Sequence, residues 1–318
     1  MKKLLFIPVL FLSFLGLVAC KNEENNIKTI KIVAPAGAPA LSQVLIAHNS
    51  KSKDYTIGGY NISFEVVNGA DAVTAAITSK SHDVIIAPIN LGAKLYKNNN
   101  TYKYAANITD GNLYFASTSP FELEDLNTKN LVFFGEGTIN QVVVHEVLSY
   151  NNITNTNITY DIANTATTMQ MLVADENENT VYLVAEPNLT QAKIKLEEQG
   201  KTVYKIDVQE EFKKATSGLD FLQAGVFVRN DLDKDFVEAY LEVLEDSISE
   251  INEDPDTASA YYEELGYSVA KEAIPGCNLK FRLAGSCQDS LNELVSLADS
   301  LLPDKNLFGG PIADDFYF

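Results

Sequence analysis

The sequence predicts an α/β fold of two lobes, each a mixed, mostly parallel sheet flanked by helices, followed by a helical C-terminal part. Three observations predict it. Short apolar runs rich in Val, Ile and Phe alternate with stretches of helical period from residue 29 to 229, the pattern of βαβ units. That pattern occurs as two sets, one before and one after Pro120. Beyond Arg229 the chain reads almost wholly as helix.

In the first set, a strand over 29–33 ends at Pro35-Ala36-Gly37-Ala38-Pro39. A helix over 40–49 follows, with Leu41, Val44, Leu45 and His48 on one face. Strands over 62–66 and 82–86 come next, with helices over 72–79 and 91–96, then strands over 102–108 and 113–117. The second set reads as strands over 130–134, 158–162, 181–184 and 203–206, with helices over 139–150, 165–174 and 189–199. A return strand over 223–228 leads to helices over 233–252, 255–265, 269–273 and 290–302. Two sets and a return imply two crossings between lobes, near 116–120 and 225–229. Such a connection serves as a hinge. The expected division is a signal peptide over 1–19, a lipidated tether over 20–28, lobe 1 over 29–117, lobe 2 over 118–225, and a return to lobe 1 over 226–318.

The N-terminus predicts export. Met1-Lys2-Lys3 is cationic, and the apolar run over 4–18 is broken only by Pro8, Ser13 and Gly16. It falls short of the roughly 20 residues a spanning helix needs, so it reads as a secretory signal. Leu17-Val18-Ala19-Cys20 resembles the lipobox of bacterial lipoproteins. The resemblance implies diacylglycerol on the Cys20 sulfur, fatty-acyl chains such as palmitate, and cleavage before Cys20. Two or three chains suffice for stable anchoring at about 0.8 kcal/mol per buried CH₂. Lys21-Asn22-Glu23-Glu24-Asn25-Asn26 reads as a polar tether. The expected location is extracytoplasmic, on the outer face of the cell membrane.

Composition excludes several classes of partner. The net charge is −19, and loss of Lys2 and Lys3 with the signal takes it to −21. So acidic a surface argues against nucleic acid and against adsorption to anionic headgroups. With 46% apolar residues, the chain can build a core and is not disordered. Only His48, His82 and His145 are available as histidines. His145 sits inside a helix and His82 beside a strand start, and both read as structural. Gly-x-Ser-x-Gly, His-Glu-x-x-His and Gly-Lys-Ser/Thr are all absent. No catalytic residue, metal or cofactor is expected.

Strand-end loops carry the binding chemistry. They are built from Gly, Ala, Pro, Asn and Thr and hold no Arg or Lys, which suits recognition through backbone N–H groups and helix N-termini. Gly135-Glu136-Gly137-Thr138 lets main chain approach a ligand closely. Glu186, at a strand end before Pro187, reads either as an acceptor for a ligand N–H or as a helix N-terminal charge. Cys277 and Cys287, ten residues apart, read either as a disulfide or as two buried thiols.

These loops together resemble a known family. Residues 32–41 and 83–96, Asp110-Gly111-Asn112-Leu113-Tyr114, the stretch from Val132 to Thr138, Ala185-Glu186-Pro187 and the tail pieces over 273–278 and 309–317 are similar to ABC-transporter substrate-binding proteins of the nitrate/sulfonate/thiamine-precursor group. The resemblance implies a type II periplasmic-binding-protein-like fold. It also implies a monomer that passes a small-molecule ligand to a permease and an ATPase. Carried over by position, the implied ligand contacts are Gly37, Ala38, Pro39, Pro88, Asn90, Asn112, Tyr114, Gly135, Gly137, Thr138 and Glu186. The apolar first loop and the lack of Arg or Lys in these loops leave a small, partly apolar or heteroaromatic solute as open as a charged oxyanion. The alternatives are an enzyme on the same fold, resembling the thiamine-pyrimidine synthases, and a surface sensor or adhesin.

Overall fold

The computed structural model describes residues 27–318, so the signal-peptide and Cys20 readings lie outside the described residues. Among these, the first part runs β1 (Thr29–Pro35), α1 (Ala38–Leu41), α2 (Val44–Asn49), β2 (Thr56–Ile57), β3 (Tyr60–Val67), α3 (Gly69–Ser79), β4 (Val84–Pro88), α4 (Ile89–Asn99) and β5 (Tyr102–Asp110). The second part runs β6 (Leu113–Ser117), β7 (Asn130–Val132), α5 (Ile139–Tyr150), β8 (Ile158–Thr159), α6 (Thr165–Ala174), β9 (Thr180–Ala185), α7 (Asn188–Glu198), β10 (Tyr204–Asp207) and α8 (Val208–Ala215). The chain then returns through β11 (Leu222–Arg229), α9 (Lys234–Glu253), α10 (Pro255–Glu263), β12 (Leu279–Leu283) and α11 (Gln288–Leu301).

Two sheets result. Lobe 1 holds seven strands in the order β12-β5-β11-β4-β1-β3-β2, and lobe 2 holds five in the order β10-β6-β9-β7-β8. Both are mixed. Parallel pairing joins β1 to β3 and β4, and β7 to β8 and β9. The other pairings are antiparallel: β11 with β4 and β5 and β6 with β9 and β10, where β11 and β6 enter each lobe from the other, and also β12 with β5 and β2 with β3. The "mostly parallel" expectation therefore holds only for the βα units.

Period-two burial explains the layers. In β4, Val84 and Ile86 face one core and Ile85 and Ala87 the other. β6 does the same in lobe 2, with Leu113 and Phe115 on one side and Tyr114 and Ala116 on the other. All four of those β4 residues are fully buried, and each large aliphatic contributes about 1.5–3 kcal/mol. Gly92 on α4 shows how tightly the helix layer sits. A Cβ there would lie 2.1 Å from the Phe227 ring, and overpacking of that kind costs about 1–3 kcal/mol. α9 follows helical period, burying Phe236, Val237, Tyr240, Leu241, Leu244, Ile248 and Ile251. Asp233 caps its start, and Asp254 ends it while capping α10, which opens with Pro255.

Several expectations need correcting. β6 pairs with β9 and β10, so it belongs to lobe 2 rather than lobe 1. The first crossing therefore lies at Gly111 and Asn112, not near 116–120. The second lies just before Leu222, not near 225–229, since Leu222 already pairs with Asp110. The C-terminal part does not stay with lobe 1, because α11 rests on α5 of lobe 2. The helix expected over 40–49 is broken at Ser42 and Gln43, whose side chains are buried and bonded to Pro39 O and to Tyr240 OH. Of the two readings of Cys277 and Cys287, the structure bears out the buried free thiols rather than the disulfide.

Candidate functional site

The two sheets present matching edges to each other. On lobe 1 the edge carries the ends of β1, β3, β4 and β5 and the starts of β11 and β12. On lobe 2 it carries the ends of β7, β8, β9 and β10 and the start of β6. Every strand-end loop named from sequence lies on one of these edges.

At the centre the lobes touch. Tyr114 OH on β6 donates to Gly276 O, 3.2 Å away, in the segment that leads into β12. Gly276 fits only because it has no side chain. A Cβ there would stand 2.9 Å from Glu186 Cγ and 3.2 Å from Tyr114 OH. Beside it, the buried Cys277 thiol is pushed up by burial and by the nearby Glu186 carboxylate. The Gly37 N–H donates to Tyr262 OH at 2.8 Å. Burial raises that phenol to about 12. Tyr114 is likewise raised, first by burial and then by Asp207 and Glu186. Lys205 Nζ lies 4.6 Å over the Tyr114 ring, within cation–π range.

The structure gives several candidates a supporting job. Glu186 is 4% exposed, and its two carboxylate oxygens accept the Thr190 N–H at 2.9 Å and the Thr190 hydroxyl at 2.8 Å. It thus closes the first turn of α7, the helix-terminus role weighed from sequence. Asn112 is also committed. Its Nδ2 donates to Glu186 O at 2.7 Å, and its Oδ1 accepts from Gln223 Nε2 at 3.0 Å. Thr138 caps α5 and donates to Gly135 O at 2.6 Å. Gly135 and Gly137 have φ of 85° and 67°, which only glycine adopts without strain. Ala38 is buried, whereas Gly37, Pro39, Pro88 and Asn90 are half-buried.

Gly37, Asn112, Tyr114 and Glu186 therefore form one cluster with Tyr262, Gly276 and Cys277. Gly135, Gly137 and Thr138 lie farther along the lobe 2 edge, where Gly137 faces the Lys305 side chain. Pro88 and Asn90 stand between the ends of β1 and the start of β11. Sequence reasoning missed Tyr262, Gly276, Cys277, Gln223, Lys205 and Lys305 as neighbours of the site. Gly276 and Cys277 lay in a recognised tail piece, but no local pattern connects Tyr262 to a loop 225 positions earlier. The histidines are dispersed among structural partners. His48 stacks on Tyr261 at 3.5 Å, His82 lies 3.1 Å from Glu65, and His145 packs edge-on to Tyr160 with its pKa lowered by burial.

Chemically, the cluster is built from backbone groups, phenol hydroxyls, a buried thiol and one carboxylate whose proton affinity burial has raised.

No protein-family model matches the chain, and no curated protein matches it. Solved structures do. An ABC transporter protein from Parabacteroides distasonis is 18% identical with a TM-score of 0.77, over 92% of this chain and 99% of that one. The ligand-binding component of an ABC-type import system from Staphylococcus aureus, solved with zinc bound, is 16% identical with a TM-score of 0.67, over 92% and 96%. The periplasmic aliphatic sulphonate-binding protein of Escherichia coli is 12% identical with a TM-score of 0.66, over 90% of each chain. At these identities the likeness shows the fold, which is the two-lobed α/β fold of periplasmic binding proteins.

Glu186 generates a pH prediction. Burial raises its carboxyl above the ordinary 4.5, against the opposing bonds from Thr190 and the charges of Lys205 and Lys193. The folded chain then holds this proton to higher pH than the unfolded chain does. Stability contributed by the protonated group is full below 4.5 and is lost as pH rises toward the folded value, at up to about 1.4 kcal/mol per pH unit. Glu186→Gln lacks that slope. Urea unfolding from pH 4 to 7 should show the variant gaining on the native chain as pH rises, and parallel curves would contradict the burial argument.

Proposed function

We propose that this chain is an extracytoplasmic solute-binding protein, tethered to the membrane by a lipid on Cys20, that delivers a small molecule to an ABC importer. The solute is enclosed between the hinged lobes, and no covalent chemistry takes place. The observation that carries this reading is the pair of facing strand-end edges joined by two crossings, since ligands in open α/β sheets bind outside the carboxyl ends of strands. The resemblance of the loops and the shared fold of the transporter proteins support it.

In this reading Gly37, Pro39, Pro88, Asn90 and Tyr114 contact the solute from the centre of the cleft. Gly135, Gly137 and Thr138 contact it from the lobe 2 edge. Ala38, Asn112 and Glu186 hold those groups in place. The solute is small and uncharged or weakly charged, partly apolar or heteroaromatic. The protein acts as a monomer beside its permease and ATPase. Among the described residues no helix is long and apolar enough to cross a membrane.

Two experiments test this. A thermal-shift screen of amino acids, vitamins, pyrimidines, sulfonates and bicarbonate should find one solute that raises the melting temperature. At 100 times its Kd a ligand stabilises by about 2.7 kcal/mol. Silence across the screen would count against capture. Separately, Cys20→Ala should move the protein from the membrane fraction to the soluble fraction, whereas unchanged membrane association would remove the lipid from the account.

A further inference from the structure

Three charged side chains at the hinge have no part in the reading so far. Arg282 on β12 bridges two carboxylates. Its guanidinium bonds Asp110, at the end of β5, and its Nη1 donates to Asp220 at 2.6 Å, just before β11. These carboxylates stand on the outgoing and the returning crossing. The trio is well shielded, with side-chain exposures of 18% for Arg282, 12% for Asp110 and 28% for Asp220, so salt screens it less than a surface pair.

The bridge is directional. A guanidinium is planar and donates in a fixed fork, so two carboxylates bound to it are held at a set angle. Asn107 Nδ2 steadies Asp110 from the same strand at 3.1 Å. Lys280 and Lys213 stand off at 3.7 and 3.4 Å and cannot impose that angle. Backbone bonds link the same segments, from Gly111 N–H to Phe221 O at 2.8 Å and from Asp110 N–H to Asn278 O at 3.0 Å. Beside them lies a cavity of about 220 Å³, lined by residues of both lobes that include Gln209, Lys213, Asn278 and Lys280.

We propose that Arg282 is the positioning residue of the hinge: it yokes the two crossings so that they turn as one unit and bring Tyr114 and Gly276 together in a single register. The proposal rests on the reading of two lobes closing on a solute, but its test needs no solute. A failed solute search leaves the readout below untouched, and an unchanged hinge leaves solute capture standing.

The test is hydrogen–deuterium exchange with mass spectrometry on the full chain in detergent micelles. Native protein is compared with Arg282→Met, Arg282→Lys and the neutral triple variant R282M/D110N/D220N. Peptides over 108–114 and 218–224 should exchange at least about tenfold faster in Arg282→Met and in the triple variant, while peptides from β1 and β3 keep native rates. Arg282→Lys should fall between, because an ammonium keeps the charge but loses the fork. Arg282→Met leaves Asp110 and Asp220 shielded with only the offset Lys280 and Lys213 ammonium groups as cations. If it does not fold, the triple variant carries the same test with all three charges removed. Native exchange at the crossings of the triple variant, or equal acceleration across the whole chain, would overturn the proposal.

Discussion

The hydrogen bond from the Gly111 N–H to Phe221 O, 2.8 Å long, ties together the two places where, among the described residues, the main chain passes between the sheets. It forms because residue 111 has no side chain. A Cβ there would lie 2.0 Å from the Phe221 ring and 2.8 Å from Gln209 Cγ, so any other residue would push the crossings apart. Gly111 O in turn accepts from the Asn278 side chain at 2.5 Å. Asn278 adjoins Gly276 and Cys277, the segment that meets lobe 2. The seam between the lobes is thus positioned from the hinge outward.

The seam itself combines few charges with many constraints. Glu186 is buried yet satisfied by Thr190, which keeps it from incurring the full cost of a desolvated carboxylate. Gln209 closes the opposite side, accepting from Leu113 N–H and donating to Leu113 O. With these groups committed, what the lobes can offer a third party is main chain, phenol hydroxyls and apolar surface. The tail reinforces lobe 1 from behind, where Phe316 packs among Tyr96, Tyr104 and Phe227 at ring distances of 5.2 to 6.1 Å.

Much of this was legible in the sequence because burial imposes period. The helices Ile139–Tyr150 and Thr165–Ala174 and the strand Leu113–Ser117 fall where the apolar spacing puts them. Membership of a sheet is a different matter. Nothing local to Leu113–Ser117 says which lobe it joins, since its alternation fits either. β12 escaped notice because it is five residues long with only Leu279 buried, and α8 because only Val208, Gln209 and Phe212 are buried. The loops of the site were recognisable as glycine- and proline-bearing strand ends. Their partners were not, because Tyr262 and Gly276 reach them from 225 and 162 residues away in sequence. Glu186 was balanced between two roles on sequence alone, and the bonds it accepts come from Thr190, four residues on.

The central claim is that the lobes enclose one small solute. Native mass spectrometry of protein purified from its own membranes tests this most directly. A folded species heavier than the chain alone by one small-molecule mass, lost on denaturation and recovered unchanged, is the expected result. A folded chain that carries no added small-molecule mass, and takes none up from the growth medium, would contradict solute capture.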